Sequence, residues 1–440
     1  MTPCRSRPSR NARCARASTT TPSHSTPPAT RPARSASWPM TCSTVACFRK
    51  TSPSACANDA RSRTMSVQLA DDRARTRDSL IPRLDFELTD ACDHRCGHCY
   101  NVWTGDEGDP NASFPTGRPL GTPELLGLMT KAVEQSGAWH ITLTGGEPMM
   151  RRDAMEVIGH ACSLARSVTL ITNGSHITPA VAEQFAAWGL QSVQLTLLAG
   201  DRDRHDALKG AVCFDDTVRS ALHLSDAGVS VQCCYVAMRE NAGELERVLE
   251  LCAALGIRNL SYNRMSPTGR AIHHIARLLP TVEQIESDLE LCERLGSAWG
   301  IRIGTAMPIP PCLIDIERFE WVRFGFCSTG STSPNIVIDA RGNVRSCNLS
   351  SGVLGNLLDD DWETVFANPY PRTFKGTVPD MCKGCAYETS CQGGCKESGF
   401  ATFGSHTHPE PLLWLGSDPS RLEALTGDVT QKAPPKIKRA

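Results

Sequence analysis

Thr89 to Trp103 read TDACDHRCGHCYNVW, and three cysteines, Cys92, Cys96 and Cys99, fall within eight residues of that stretch. A structural zinc site is closed by four protein ligands, and a cubane iron–sulfur cluster normally by four thiolates. Three thiols at x3 and x2 spacing, with no fourth nearby, leave one coordination position open. A site needs that opening when something other than protein must bind the metal. His94 and His98 would complete a zinc set, but both lie inside the tight loop, where they would strain a tetrahedron.

A second cysteine pattern lies near the other end. Cys327 is followed by fourteen residues, Gly342, four more residues and Cys347; then comes CKGCAYETSCQGGC, which places Cys382, Cys385, Cys391 and Cys395 at x2, x5 and x3. A zinc ribbon asks for two C-x2-C pairs, and only one is present. Cys312 stands upstream in MPIPPCLID. Cys162, Cys213, Cys233, Cys234, Cys252 and Cys292 show no ligand spacing and read as small buried hydrophobes.

These residues need a scaffold. From about residue 80 to 307, short apolar runs alternate with helix-length segments. The expected strands are RLDFEL, HITLTG, SVTLITN, SVQLTLL, SVQCCYVAM and NLSYNRM. The expected helices include TPELLGLMTKAVEQS, AMEVIGHACSLA, PAVAEQFAAWG, FDDTVRSALHLSDAG and AGELERVLELCAALG, several of them ending at glycine. Such alternation predicts an α/β fold with a parallel sheet, either doubly wound or an incomplete barrel, with its chemistry at the strand C-terminal ends. The thiol loop follows the first strand, GGEP ends the second, NG the third and LLAG the fourth, so the unusual residues fall on one rim. From 308 to 415 helical periodicity fades and the segment reads as a small metal-stabilised module. Residues 416–440 read as a short helix and a basic tail.

Composition bounds the rest. The 440 residues carry a net charge of −1 and 40% hydrophobic residues, without an apolar run long enough for a membrane span. Nine of the 46 Lys and Arg lie between Met1 and Asn58, where there is no Asp or Glu. The remaining chain therefore has 37 basic residues against 47 acidic, which argues against a nucleic-acid surface. Twenty-one cysteines, grouped in clusters within a large α/β chain, point to metal rather than disulfides and to a reducing, cytoplasmic compartment. Residues 1–64 are rich in Ser, Pro and Arg with no hydrophobic period, and read as disordered. Their composition is also that of a transit peptide, but without an amphipathic pattern the expectation is an over-extended reading frame with Met65 as the true start.

The C-x3-C-x2-C spacing with Tyr100 after the last cysteine resembles the radical S-adenosylmethionine enzymes. That resemblance implies a partial (β/α)6 TIM-like barrel. It also implies a [4Fe–4S] cluster on Cys92, Cys96 and Cys99, with S-adenosylmethionine on the fourth iron. In that family one electron splits the sulfonium to methionine and a 5′-deoxyadenosyl radical, which abstracts hydrogen from the substrate. TGGEP matches the element that receives the methionine ammonium, here Gly145, Gly146, Glu147 and Pro148; without the resemblance it is only a Gly-Gly turn after a strand. Thr172, Asn173 and Thr196 occupy positions that face the methionine and ribose. HDALKG (205–210) and NRMSPTGRA (263–271) also look like family elements.

The C-terminal pattern resembles the SPASM extension, with NIVIDARGNVRSCN as its hairpin, Gly342 at the turn and LGNL after it. The resemblance implies two auxiliary iron–sulfur clusters, one shared by Cys327, Cys347 and Cys395, the other by Cys382, Cys385 and Cys391. The seventh cysteine of that pattern is missing, and Leu413 stands about where it belongs. His406, His408 or Glu410 are candidate replacements, and Cys312 is a candidate fourth ligand for the first set.

Family substrates are mostly peptides or protein side chains. The implied activity is modification of a ribosomally made peptide, with a tetrapyrrole side-chain decarboxylase or a sulfatase maturase as same-fold alternatives. Formylglycine-forming members place an aspartate base after the cysteine that closes the hairpin. Asn348 occupies that position and cannot take a proton, which weighs against a maturase. A non-catalytic electron carrier or redox sensor is the alternative of another class, and GGEP argues against it. The expected partners are a peptide or protein substrate, a reductant such as flavodoxin or ferredoxin, and a separate peptide-recognition protein, since residues 66–80 are too few for such a domain.

Overall fold

A computed structural model describes residues 81–103, 117–331 and 334–416. The expectations for residues 1–64 and for 417–440 fall outside these. All six expected strands are present: β1 (Arg83–Glu87), β2 (His140–Thr144), β3 (Ser167–Thr172), β4 (Ser192–Thr196), β5 (Ser230–Ala237) and β6 (Asn259–Arg264). The helices Thr122–Ser136, Ala154–Leu164, Pro179–Ala187, Phe214–Asp226 and Leu245–Ala254 lie between them, as read from the sequence. The six strands pair in parallel and in chain order. A doubly wound sheet reverses its strand order at a switch point, and these six do not. Successive crossovers of one hand then curl the sheet as in a barrel.

The alternation along β1 shows how the sequence builds this. Leu84 and Phe86 join the main hydrophobic core, while Asp85 and Glu87 take the opposite face. Three elements escape the sequence reading. The helix Arg202–Lys209 begins where the Asp201 carboxylate accepts the Arg204 N–H at 2.9 Å. The helix Val282–Trp299 buries Ile285, Leu289 and Cys292. β7 (Arg302–Thr305) has a single large apolar side chain, Ile303, and is recruited by pairing with β6.

The region beyond 308 does not form a separate sheet. β8 (Arg323–Phe324) pairs with β7 at one edge. At the other edge β9 (Asn335–Ile338) lies parallel to β1, then turns through Gly342 into β10 (Asn343–Arg345), followed by β11 (Val353–Asn356). The result is one eleven-stranded sheet in the order β11-β10-β9-β1-β2-β3-β4-β5-β6-β7-β8. Buried polar groups join its two parts. Asn335 Nδ2 donates to Asp85 at 2.6 Å, and Glu87 pairs with the fully buried Arg345 while accepting Trp103 Nε1 at 3.2 Å. The Arg345 guanidinium sits 4.8 Å above the Trp103 ring. Among the described residues no helix is long and apolar enough to cross a membrane.

Two predictions follow from these carboxylates. Replacing Arg345 by Met leaves the Glu87 charge buried without its partner and should cost about 3–5 kcal/mol by chemical denaturation, much of it recovered in the Glu87→Gln/Arg345→Met double variant. For Asp85, burial above all raises the carboxyl from 3.8 to about 6. The folded state therefore favours the neutral acid, so the stability it contributes is complete below pH 4 and is lost as pH rises through about 6. Asp85→Asn should gain on wild type by about 3 kcal/mol between pH 4 and pH 7; parallel stability profiles would refute this.

Candidate active site

The thiol loop leaves β1 and is held from three sides. Along its start, the Leu88 N–H donates to Thr144 O at 2.8 Å, and the Gly146 and Glu147 N–H groups donate to Thr89 O at 2.6 Å and Ala91 O at 2.7 Å. A side chain at Gly146 would collide with the Ala91 carbonyl, and Gly145 adopts φ +134. The glycine pair is thus required by the close approach of two backbones as well as by the turn.

In the middle, the Arg95 N–H donates to Lys209 O at 3.2 Å and the Cys96 thiol lies 3.4 Å from the same oxygen. Gly210, at φ +61, caps that helix where a Cβ would press within 2.7 Å of Arg95 O. At the far end, the Ala271 N–H donates to Cys99 O at 3.2 Å, Thr268 Oγ1 to Tyr100 O at 3.1 Å and Arg270 Nη1 to Cys96 O at 3.2 Å. HDALKG and SPTGRA are therefore clamps on the thiol loop.

Glu147 ties β2 to β3. Its Oε1 accepts Thr172 Oγ1 at 2.6 Å and the Met149 N–H at 3.0 Å, and its Oε2 accepts the Asn173 N–H at 2.7 Å. Burial raises this carboxyl, while those hydrogen bonds pull the other way. Asn173 Nδ2 reaches back to Asp93 Oδ1 at 2.7 Å, so Glu147, Thr172, Asn173 and the thiol loop form one network. Pro148 starts a single turn, Pro148–Met150. Tyr100 is 39% exposed at the rim, and Thr196 lies outside the network at the end of β4, paired with Cys234.

Cys92, Cys96 and Cys99 are all half-buried free thiols. Burial pushes Cys92 up to about 11 and raises Cys96, against the pull of the Lys209 ammonium. Without a metal Cys92 and Cys96 are protonated thiols, and a bound metal would supply the missing positive charge. His98 and His205 are pushed down to about 3 and His94 to about 4, by burial first and then by Lys209. His94 Nε2 lies 3.2 Å from Ser175 Oγ, and among the described residues no three His, Cys, Asp or Glu converge on a single metal ion.

The residues do fit an iron–sulfur cluster. Three free thiols sit on one clamped loop, close enough to act on one another, the Lys209 ammonium acts on Cys96, and the His94 backbone N–H points at Cys92 Sγ at 3.5 Å. Hydrogen bonds to sulfur are one of the ways a protein tunes such a cluster.

The C-terminal cysteines fall into two groups. Burial and then the neighbouring Cys395, Glu397 and Cys327 raise Cys347. Cys382 is raised by burial and then by Cys312, Cys385, Glu388 and Glu410; Cys391 by burial and then by Glu410 and Cys312. The same N–H to sulfur arrangement recurs, from Leu349 to Cys347 at 3.4 Å and from Tyr387 to Cys385 at 3.5 Å. The grouping of Cys327, Cys347 and Cys395 against Cys382, Cys385 and Cys391 is therefore compatible with the structure. Cys312, expected beside the first set, lies with the second.

Neither histidine offered for the missing cysteine faces these thiols. His406 stacks on Phe400 at 4.5 Å and His408 on Phe403 at 3.8 Å. Glu410 is fully buried, pairs with the buried Arg264, and leaves Oε1 without a partner. Leu413 is buried on the helix Pro411–Leu415.

Sequence reasoning missed Glu87 and Arg345, and it named the stretches HDALKG and NRMSPTGRA without singling out Lys209 or Arg264. Glu87 carried a local signal, as a charge alternating with core residues in β1. Arg345 donates from Nη1 to the carbonyls of Ser350 at 2.7 Å, Asn348 at 3.2 Å and Cys347 at 3.3 Å, and so holds the turn that carries Cys347.

Residues 86–252 match the model of the Radical SAM superfamily. The mycofactocin maturase MftC of Mycobacterium tuberculosis is 28% identical over 345 residues, covering 77% of this chain and 84% of that protein. The PqqA peptide cyclase of Methylocella silvestris is 26% identical over 354 residues, 79% of this chain and 91% of its own. The AdoMet-dependent heme synthase of Oleidesulfovibrio alaskensis is 28% identical over 350 residues, 74% and 85% respectively. In architecture the chain is similar to SuiB of Streptococcus suis bound to S-adenosylmethionine, with a TM-score of 0.59, 16% identity and coverage of 80% and 82%.

The glycine clamp yields a prediction. Gly146→Ala forces a methyl group into the Ala91 carbonyl and should cost on the order of 1–3 kcal/mol by urea denaturation of the iron-free protein. The same variant should take up less iron on reconstitution than Gly127→Ala, whose Cβ meets nothing within 4 Å.

Proposed function

We propose that this chain, whose residues 86–252 match the model of the Radical SAM superfamily, is an enzyme that reductively cleaves S-adenosylmethionine and modifies a side chain of a ribosomally made peptide. The observation that carries the proposal is the three-thiol loop, clamped on the C-terminal rim of the sheet against the Gly145–Glu147 turn. A [4Fe–4S] cluster held there supplies the electron that splits the sulfonium, giving methionine and the 5′-deoxyadenosyl radical that takes a hydrogen atom from the substrate.

The chain's own residues hold and orient. Cys92, Cys96 and Cys99 would hold the cluster through three thiolates, and with no fourth protein ligand in the loop a coordination position would be left to S-adenosylmethionine. Gly145, Gly146 and Pro148 shape the methionine site. Glu147 fixes its floor, and the free lone pair on its Oε2 is positioned to take the methionine ammonium. Thr172, Asn173 and Thr196 line the rim toward the ribose, and Tyr100 walls it from solvent.

The peptide assignment is supported by relatives named for peptide maturation and cyclisation. Asn348 supports it against formylglycine formation. Its Nδ2 lies 3.4 Å from Glu87 Oε1, as a donor and not a base. A heme-type decarboxylation is the second reading, favoured by the similarity to a heme synthase. Two auxiliary clusters, on Cys327/Cys347/Cys395 and on Cys382/Cys385/Cys391, complete the proposal. A flavodoxin or ferredoxin would serve as reductant in a reducing cytoplasm, and a separate protein would deliver the peptide.

The test is anaerobic incubation of reconstituted enzyme with dithionite and S-adenosylmethionine, following 5′-deoxyadenosine by chromatography. Wild type should form it, with turnover raised by the cognate peptide and not by a porphyrin precursor. The Cys92/Cys96/Cys99→Ala variant should fall to background and lose about four irons per chain. Full activity in that variant would end the proposal.

A further inference from the structure

The C-terminal pattern supplies three thiols to each auxiliary set and leaves both short of a fourth. Cys312 settles one of them by position. It lies in the stretch from Pro308 to Glu317, which is pinned at both ends to the cysteine-rich region. At one end Arg264 Nε donates to Pro308 O at 2.9 Å while its guanidinium pairs with Glu410. At the other, Tyr387 Oη donates to Glu317 Oε1 at 2.6 Å, and the Tyr387 N–H points at Cys385 Sγ at 3.5 Å. A turn in which Leu313 N donates to Pro310 O at 3.0 Å holds Cys312 between these anchors.

The thiol's surroundings agree. The groups that act on Cys312 are Cys385 and Glu410, and Cys312 in turn acts on Cys382 and Cys391. The groups acting on Cys347 are Cys395, Glu397 and Cys327, without Cys312.

We propose that Cys312 is the fourth thiolate of the site formed by Cys382, Cys385 and Cys391, replacing from upstream the cysteine that the C-terminal pattern lacks. The assignment rests on the reading of this region as a carrier of auxiliary clusters. As the iron–sulfur bond forms, the Cys312 thiol gives its proton to solvent. Glu410 is the competing donor: its Oε2 is committed to Arg264, while its partnerless Oε1 lies against Gly394, beside Cys395 of the other set. Thiolate is also the ligand that iron–sulfur clusters select. The first set then keeps three thiols, with Glu397 beside Cys347. A cluster on the four-thiol set would be closed and suited to passing electrons, while one on the three-thiol set would have a position for substrate.

Iron content and spectra test this independently of turnover. All variants carry Cys92/Cys96/Cys99→Ala, so that only auxiliary sites remain. Adding Cys327→Ala and Cys347→Ala should leave about four irons per chain. Adding Cys312→Ala to that protein should lower the count to about three or fewer and replace the four-iron electron paramagnetic resonance signal by a three-iron one. Glu410→Gln in the same background should change neither. In the reciprocal background, with Cys382, Cys385 and Cys391 replaced by Ala, Cys312→Ala should leave iron and spectrum unchanged.

An unchanged spectrum in the first background, or iron loss in the second, overturns the assignment. If the first background binds no iron before Cys312 is altered, the auxiliary-cluster reading itself fails and the proposal with it. Mössbauer spectra of the otherwise wild-type holoenzyme give a check that needs no multiple variant. Cys312→Ser should perturb one iron site of one auxiliary cluster, and spectra identical to wild type would refute it.

Discussion

The backbone from Leu88 to Asn101 forms no regular structure, and its buried amides and carbonyls must find partners elsewhere. That need organises the rim. The Gly145–Glu147 turn, the end of the helix Arg202–Lys209 and the 268–271 turn each donate to or accept from the loop, and all three are glycine-tight where they touch it, through Gly146, Gly210 and Gly269. A loop fastened at its start, middle and end presents three thiols in a fixed triangle. Most of the ordering entropy is then lost in folding the barrel and not when metal arrives. The motifs that surround Cys92, Cys96 and Cys99 are in this sense parts of one hydrogen-bonding solution.

Two buried ion pairs do the corresponding work for the C-terminal region. Glu87–Arg345 joins β1 to the hairpin that carries Cys347, and Arg264–Glu410 joins the end of β6 to the segment after Cys395. Buried pairs add little net stability, because the cost of desolvation nearly offsets the attraction, yet losing one partner is expensive. Their effect is therefore on position. They hold the auxiliary thiols at set places on the same sheet whose rim carries the first three. Parallel pairing of β9 with β1 makes that coupling direct, since the strand leading into the thiol loop is the neighbour of the strand leading into the hairpin.

The barrel was legible because its strands and helices carry strong, separate periods: Leu84 and Phe86 alternate with Asp85 and Glu87, and the helix Thr122–Ser136 runs from a proline start to Gly137 in the left-handed conformation. The thiol loop was legible from its spacing, and the part played by the Gly-Gly turn from the family resemblance that this spacing carries. β7 was not, since Arg302–Thr305 owes its strand state to pairing with β6 and not to its own side chains. The joining of the two regions was not legible either. Glu87 and Arg345 are 258 residues apart, and no local pattern announces a contact of that range. The same holds for Cys312, which the sequence offered to the first set and whose neighbours in space are set by Arg264 and Tyr387.

The charge around the thiol loop follows from the same packing. His94, His98 and His205 surround it, and burial together with Lys209 holds all three well below their ordinary range, so none carries charge near neutral pH. Lys209 is itself only 4% exposed. A cluster on three thiolates is anionic, and its potential depends on nearby charge, sulfur hydrogen bonds and solvent access. With these three imidazoles neutral, the groups that act at the loop include the Lys209 ammonium, the Arg270 guanidinium at Cys96 O, the Asp93 carboxylate with its partner His176, and the His94 backbone N–H at Cys92 Sγ. Burial beside one fixed ammonium thus takes three imidazoles out of the set of charges that change around the loop near neutral pH.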